Sequence, residues 1–304
     1  MKILDRDQTV QALPYSKLVP AVAEAAKELA AGTIIAPERQ VVTIDPASVL
    51  LCMPAIGADV SVTKLITVHA NNAQHQLPAI QGEVIVFETA TGRRLALLDG
   101  PTVTARRTAA MTLLGIETLA RQQPASALLI GTGTQATAHA DALIEYFGVT
   151  RFWIAGRTHA DAEAFASALT QRHGHLTVQS FTAETLKHEV PETDVIIALT
   201  TSTVPVIPAN ISPDTLAIGV GAFKPNMAEF PAELLHARQI VVDDLGGAQH
   251  EAGDLIQANI DWTAVVGLAD ILSGKASRPA AVPVFKTVGQ AAWDLAAAKV
   301  AIGT

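Results

Sequence analysis

The segment Gly131-Thr132-Gly133-Thr134-Gln135-Ala136 follows directly on the apolar run Ala127-Leu128-Leu129-Ile130. A short buried strand that enters a glycine turn and then a helix leaves few folds open. Gly131 permits the tight turn, Gly133 lets backbone approach a phosphate, and Ala136, in place of a third glycine, still lets the helix pack on the strand. The helix expected from Gln135 to about Phe147 offers unpaired N–H groups and the positive end of its dipole to the turn. Glycine spacings of this kind also arise by chance, so it is the strand–turn–helix context that points to a dinucleotide pyrophosphate.

A second strand, Arg151-Phe152-Trp153-Ile154-Ala155, runs into Gly156-Arg157-Thr158. The ribose-sensing residue of a dinucleotide site stands about 20 positions past the glycine motif, which falls here at Gly156–Arg157. An acid at that place would accept from a free 2′-hydroxyl and repel a 2′-phosphate. Arg157, flanked by the hydroxyl of Thr158, suits a phosphate instead. NADPH is therefore expected over NADH, with NADH still possible.

Apolar strands recur at 127–130, 151–155, 194–199, 215–220 and 239–242, with helical patterns such as Ala160–Arg172 and Pro231–Arg238 between them. This alternation is the signature of an α/β fold with a Rossmann-type, doubly wound parallel sheet. From about Thr33 to Leu98 the texture changes to short strands at 41–44, 49–53, 60–68 and 84–87. A turn at 90–93 is expected to join the last of these to 95–98 as a hairpin, and an alanine-rich helix from Ser16 to Ala31, stopped by Gly32, precedes the whole region. A mixed or antiparallel sheet is expected there, giving a strand-rich α+β domain. The expected division is 1–115 with 288–304 for this domain and 116–287 for the dinucleotide domain. Helices near 104–121 and 288–302 join the two, and Trp293 is expected on the apolar side of an amphipathic last helix.

Of the 304 residues, 49% are apolar and 16% charged, enough for a large core and for apolar surface buried between subunits. A net charge of −8 without a basic, aromatic-bearing cluster argues against a nucleic-acid partner. Met1–Asp7 lacks the apolar core of a signal peptide, and the longest uncharged stretch, Val195 to Pro213, is broken by polar residues and three prolines, so no membrane span is expected. The single cysteine, Cys52, excludes an internal disulfide and fits a reducing, cytoplasmic setting.

Lys64 breaks an otherwise regular pattern. Strand alternation in Val60–Val68 puts Val60, Val62, Ile66 and Val68 on one face with Lys64 in the middle of it. An unpaired lysine on an apolar face is costly, so Lys64 is either a ligand-facing group in a cleft or a lysine snorkelling from a sheet edge. Arg107, in Thr102-Val103-Thr104-Ala105-Arg106-Arg107-Thr108-Ala109-Ala110, follows a hydroxyl (Thr102 or Thr104) able to cap a helix. An arginine near a helix start opposes the dipole unless an anion sits there, and only one of Arg106 and Arg107 is expected to face such a cleft. Arg39, just before a strand, is a third cation. No nucleophile elbow, catalytic Cys/His pair or zinc spacing occurs, and no metal is expected. Asp243-Asp244 ends a strand at the expected cleft edge, where a solvated cap and a functional acid are equal alternatives.

Taken together the chain resembles the ornithine cyclodeaminase/μ-crystallin family. The resemblance is carried by Met53-Pro54-Ala55, Lys64, Leu77-Pro78 with Gly82, Thr91-Gly92-Arg93, Leu98-Asp99-Gly100 and Arg107-Thr108-Ala109-Ala110. It continues through the glycine turn ending in Gln135-Ala136, Val220-Gly221-Ala222, Glu229 and Phe285-Lys286-Thr287-Val288-Gly289. It implies that Arg39, Lys64 and Arg107 hold a substrate carboxylate, with Lys64 the candidate catalytic residue. It also implies that Arg107, Thr134, Gln135, Thr158, Thr200, Val220, Gly221 and Thr287 join the glycine turn and Arg157 around the dinucleotide, and that the strand-rich domain forms a homodimer.

One departure bears on the reaction. Cyclodeaminases carry an aspartate shortly after the V-G-G turn, and this chain has Phe223 there, so deamination lacks its acid/base group. What remains resembles the members that reduce cyclic ketimines, Δ1-pyrroline-2-carboxylate to L-proline and Δ1-piperideine-2-carboxylate to L-pipecolate, with Phe223 as an apolar wall for the ring. The resemblance also leaves reductive amination of a linear 2-oxo acid, as in alanine dehydrogenase members, the cyclodeaminase reaction, and NADPH-dependent ligand binding without turnover, as in μ-crystallin.

Overall fold

The computed structural model describes residues 1–69 and 71–304. Two compact units are present, one of residues 1–110 with 290–304 and the other of residues 111–289. The elements of the first part of the chain are β1 (Lys2–Leu4), α1 (Arg6–Ala12), α2 (Tyr15–Ala30), β2 (Gln40–Asp45), β3 (Ser48–Ile56), β4 (Val60–His69), β5 (Ile80–Glu88), β6 (Arg94–Asp99) and α3 (Gly100–Leu119). Then follow β7 (Ser126–Ile130), α4 (Thr134–Phe147), β8 (Arg151–Gly156), α5 (His159–Arg172), β9 (Thr177–Thr182), β10 (Val195–Ala198), β11 (Leu216–Gly219), α6 (Ala232–Ala237) and β12 (Ile240–Val242). The chain ends with α7 (Leu245–Glu251), α8 (Gly253–Gln257), β13 (Val266–Gly267), α9 (Leu268–Leu272), β14 (Val284–Lys286) and α10 (Ala291–Ile302).

In the first unit a mixed six-stranded sheet runs β1-β6-β5-β4-β3-β2, antiparallel except for the β1–β6 pair. The expected hairpin is β5–β6, with Val84 opposite Leu98. Along β4 the period of two holds: Val60, Val62, Lys64 and Ile66 are buried while Leu65 is exposed. Helix α10 packs on β3 and β4 on one side and on α2 on the other. Enclosed in this way, it is buried from Ala291 through Ala298 rather than amphipathic, and Trp293 is fully buried. Helix α3 begins at Gly100, ahead of both threonines. Asp99 caps it by accepting from the Thr102 N–H at 2.9 Å, so Thr102 and Thr104 lie inside the helix.

The second unit is built on a wholly parallel eight-stranded sheet, ordered β13-β12-β14-β11-β10-β7-β8-β9. From β7 the chain winds outward through β8 and β9, then returns to place β10 on the other side of β7. This reversal between β7 and β10 is the topological switch point, where open α/β sheets bind ligands beyond the carboxyl ends of their strands. β9, β13 and β14 were not anticipated: β9 is a polar edge strand, and β13 and β14 have two and three residues. Among the described residues no helix is long and apolar enough to cross a membrane.

Candidate functional site: an open glycine turn and a buried cationic cluster

The glycine turn of the second unit sits at the switch point. Gly131 has φ +120°, and an added Cβ would lie 2.7 Å from the Leu199 carbonyl, so packing and backbone both demand glycine. Gly133 is different. Its φ of −86° and ψ of −172° suit any residue, and no atom lies within 4 Å of the place a Cβ would take. The protein gives no reason for a glycine there, whereas a ligand approaching the backbone does. Gly133 also leaves α4 without a side-chain cap and with no acid in its first turn, so its first N–H groups remain available to an anion.

Thr134 opens α4 at the surface, Ala136 is fully buried beneath it, and the buried Gln135 Oε1 has no hydrogen-bond partner. This turn of α4 is fixed from below by His139. Its Nδ1–H donates to the Gln135 carbonyl at 2.8 Å, so Nε2 accepts from the Thr112 hydroxyl at 2.9 Å. Burial pulls the His139 pKa down to about 4, so the ring is neutral near pH 7 and adds no charge beside the turn. A dinucleotide fits these residues on two counts, the open space over Gly133 and the orphaned Gln135 oxygen.

At the end of β8, Arg157 is exposed and bonds none of the described residues. Thr158 caps α5, accepting from the Asp161 N–H at 3.1 Å and donating to its carboxylate at 2.7 Å. Beyond β10 and β11, two loops are tied together by one fully buried carboxylate. Glu229 Oε1 accepts from the N–H (2.7 Å) and hydroxyl (3.0 Å) of Thr200, and Oε2 accepts from Gly221 (2.7 Å) and Ala222 (3.1 Å). The loops touch so closely that a Cβ on Gly221 would lie 1.9 Å from the Thr200 carbonyl. Burial pushes the Glu229 carboxyl up, while Lys286 and the N–H groups of Thr200 and Ala222 pull it back. Asp254 adds to the upward push, and the carboxyl stays above its ordinary value.

Buried Lys286 lies 4.0 Å from Glu229 and 3.8 Å from Asp254. Val220 is nearly buried, its N–H on the Ala198 carbonyl. Thr287 donates its hydroxyl to Asp243 at 2.6 Å, and Asp243 also accepts from Val288 and Gly289. Asp243 is thus a buried loop anchor and no solvated cap, while its neighbour Asp244 caps α7. Phe223 is half-buried, with the Lys224 ammonium 5.7 Å from its ring centroid.

In the first unit the structure gathers Lys64 and Arg107 around a residue that sequence reasoning missed. Lys64 is 1% exposed on the interior strand β4, which rules out a lysine snorkelling from an edge. Its Nζ straddles the Asp294 carboxylate, 2.9 Å from Oδ2 and 3.1 Å from Oδ1. Arg107 donates from Nε to the same Oδ1 at 3.1 Å, and its two terminal nitrogens bond none of the described residues. Arg106 turns away, donating to the Leu13 carbonyl with its guanidinium 4.0 Å from the Tyr15 ring centroid.

Arg39 is half-buried ahead of β2 and near enough to act on Lys64 electrostatically. Burial pulls the Lys64 pKa down to about 8. Asp294 opposes this, and Arg107 and Arg39 add to it. Since Arg107 lies two turns into α3, its placement answers to Asp294 rather than to the helix end. Asp294 was legible in one respect, as the first charge of an otherwise apolar run, Ala291-Ala292-Trp293-Asp294-Leu295-Ala296-Ala297-Ala298.

The profile of the ornithine cyclodeaminase/mu-crystallin family matches residues 2–302. The chain belongs to this family. It is 41% identical over 300 residues to a Delta(1)-pyrroline-2-carboxylate/Delta(1)-piperideine-2-carboxylate reductase of Azospirillum brasilense, covering 98% of this chain and 94% of that protein. It is 42% identical over 300 residues to Delta(1)-pyrroline-2-carboxylate reductase 1 of Burkholderia multivorans, with the same coverage. Among solved structures, the Thermococcus litoralis Delta(1)-pyrroline-2-carboxylate reductase in complex with NADH and L-proline superposes with a TM-score of 0.88 at 25% identity, covering 100% of this chain and 97% of that one. Curated relatives in the family are thus reductases of a C=N bond.

Proposed function

We propose that this family member is an NAD(P)H-dependent ketimine reductase that converts Δ1-pyrroline-2-carboxylate to L-proline and Δ1-piperideine-2-carboxylate to L-pipecolate. The observation that carries the reading is the charge balance of the buried cluster in the first unit. Lys64 and Arg107 share the carboxylate of Asp294, and the terminal nitrogens of Arg107 bond none of the described residues. A buried guanidinium with idle donors is costly unless a ligand completes it. A substrate carboxylate is the matching group, and the curated relatives act on small ring carboxylates of this kind.

When bound, the reduced dinucleotide supplies a hydride to the imine carbon. Its pyrophosphate would be held by the N–H groups at Gly133, Thr134 and Gln135. Arg157, exposed and unpaired among the described residues, would take the 2′-phosphate of NADPH. Fixing the substrate carboxylate on Lys64 and Arg107 holds the imine carbon in one place, and positioning of this sort removes much of a bimolecular barrier. The product nitrogen must also gain a proton. Lys64, with a pKa of about 8, is ~90% ammonium at pH 7 and can release one. Phe223, where cyclodeaminases have an acid, supports reduction over deamination.

In this reading the first unit binds substrate and forms a homodimer, and the second binds the dinucleotide. The dimer is supported by the open edge strand β2, exposed along its whole length, where Val41, Val42 and Ile44 are each about half exposed. A cytoplasmic setting is supported by the single cysteine, half-buried and unpaired. Light scattering should give twice the chain mass, and a monomer at micromolar concentration would contradict the dimer. The deciding assay is NADPH oxidation with Δ1-piperideine-2-carboxylate and no ammonia. Turnover is expected, and tight NADPH binding without turnover would overturn the reading.

A further inference from the structure

Asp294 is fully buried on α10, 230 residues from Lys64 and 187 from Arg107, yet it is the group on which both close. We infer that Asp294 is a positioning residue of the reductase site, a fixed internal carboxylate that holds Lys64 and Arg107 side by side and lets two cations stand out of water in the absence of substrate. This rests on the ketimine-reductase reading for its catalytic consequence, but not for its geometry.

Among the described residues the Asp294 carboxylate meets Lys64 and Arg107 and no other side chain. Its Oδ1 is shared between Lys64 and Arg107 and its Oδ2 lies against Lys64 alone. It does not cap α10, whose N-cap is Gln290. A carboxylate that merely neutralised one buried cation would need one partner. Here one anion faces two, so the cluster is held together and still carries positive charge for an incoming carboxylate. An internal anion also keeps the lysine charged, since the opposite charge beside it offsets part of the burial that favours the neutral amine.

The ionic groups acting on Lys64 are Asp294 from α10, Arg107 from α3 and Arg39 ahead of β2. The flanking strands β3 and β5 oppose it with Met53 and Val84, which do not titrate. On α2, Glu24 pairs with Lys27, and Glu28 pairs with Lys299 of α10, so these charges are already matched. With Asp294 neutralised, what remains around Lys64 is positive, and its ammonium form should be lost at lower pH.

The test is the pH profile of kcat/KM for Δ1-piperideine-2-carboxylate reduction in wild type, Asp294→Asn and Asp294→Glu. The alkaline limb should move to lower pH in Asp294→Asn, so that its loss of activity is at least tenfold greater at pH 8.5 than at pH 6.5. Asp294→Glu should return the limb toward wild type. A loss of equal size at every pH would reduce Asp294 to a packing role and overturn the proposal.

A second readout needs no turnover. In the cofactor-free protein with 13C-labelled lysine side chains, the Lys64 signal (absent from Lys64→Met) should titrate near 8 and shift to lower pH in Asp294→Asn. An unmoved titration would refute the role of Asp294. If the titration moves but wild type reduces no ketimine, the functional reading fails while the role of Asp294 stands. Should Asp294→Asn not fold, adding Lys64→Met to the same chain should recover part of the folding, because it removes one of the two buried cations, Lys64 and Arg107, left without their carboxylate. A double variant as unfolded as Asp294→Asn would overturn the inference.

Discussion

Replacing Lys64 by methionine should abolish turnover without destabilising the protein, and the charge balance of its cluster says why. Removing one partner of a buried ion pair usually costs about 3–5 kcal/mol, because the other is left unmatched. Here Asp294 would keep Arg107 at 3.1 Å, and a surplus of cations would become a matched pair. The ammonium of Lys64 is itself a burden: the gap between the ordinary lysine value of 10.5 and about 8 corresponds to roughly 3 kcal/mol favouring its neutral form in the folded protein. Methionine fills similar volume without that charge, so at pH 7 Lys64→Met is expected to be as stable as wild type or more stable by up to about 3 kcal/mol.

The pH dependence has a definite sign. Between pH 8 and 10.5 the unfolded chain holds a proton on Lys64 that the folded one has released, so wild type gains stability as pH rises through that window. The advantage of methionine should therefore be greatest below pH 8 and shrink toward pH 10.5. Urea unfolding of both proteins at pH 6.5 and 9.5 measures it. Ketimine reduction should fall by about 100-fold or more, the range for losing a proton-transfer group, with NADPH affinity unchanged. A loss of more than about 2 kcal/mol at pH 7, or a difference indifferent to pH, would refute the reasoning.

The two glycines of the turn should separate cleanly. Gly133→Val should weaken dinucleotide binding at least tenfold in a fluorescence titration while costing only about 1 kcal/mol of stability. Gly131→Ala, forced to φ +120° and against the Leu199 carbonyl, should cost roughly 2–4 kcal/mol. Arg157→Ala should raise KM for NADPH about 10- to 100-fold, the worth of a charge-assisted contact, and leave NADH nearly unaffected; equal effects on both would remove Arg157 from the 2′-phosphate. Glu229→Gln turns an amide toward backbone N–H groups that need an acceptor, and urea unfolding should show a loss of about 2–4 kcal/mol. A loss under 1 kcal/mol would mean that the loops hold without it.

What could be read from the sequence followed the physics of each element. Lys64 was legible because β4 is an interior strand of a sheet with one buried face, so a period of two exposes an intruder. The glycine turn was legible because strand, turn and helix are contiguous. β9 was not, since its Thr, Gln and Ser suit an exposed edge as well as a loop, and β14 was too short to show a period. The last helix misled for a related reason. Trp293 suggested one apolar side, but α10 is enclosed all round, so there is no polar face against which Asp294 could stand out. Asp99 took the capping role from the threonines because the turn out of β6 delivers its carboxylate to the Thr102 N–H, a geometry fixed by the sheet.

Burial alone does not tell a ligand site from a structural one; satisfaction of donors and acceptors does. Both units enclose ionic groups that would be costly unmatched. Around Glu229 every close partner is accounted for: four donors serve its two oxygens, Lys286 lies between it and Asp254, and Asp254 accepts from the Leu255 and Glu229 N–H groups. The oxygens of Glu229 are filled by the protein itself, and its work is to fix the loops at Thr200 and Gly221. Around Asp294 the count does not close, because the terminal nitrogens of Arg107 meet no described residue and the positive charges exceed the one carboxylate. The same test distinguishes Gly133, open to empty space, from Gly131, packed on Leu199. In each unit the incomplete feature is the one at which the proposed ligand would sit, a dinucleotide over α4 and a carboxylate at Lys64 and Arg107. Lys64 could be singled out from the sequence because a lysine on an apolar face stands out, and the glycine turn because it follows a strand and opens a helix. Asp294 escaped because it is the part of the answer that the protein supplies to itself.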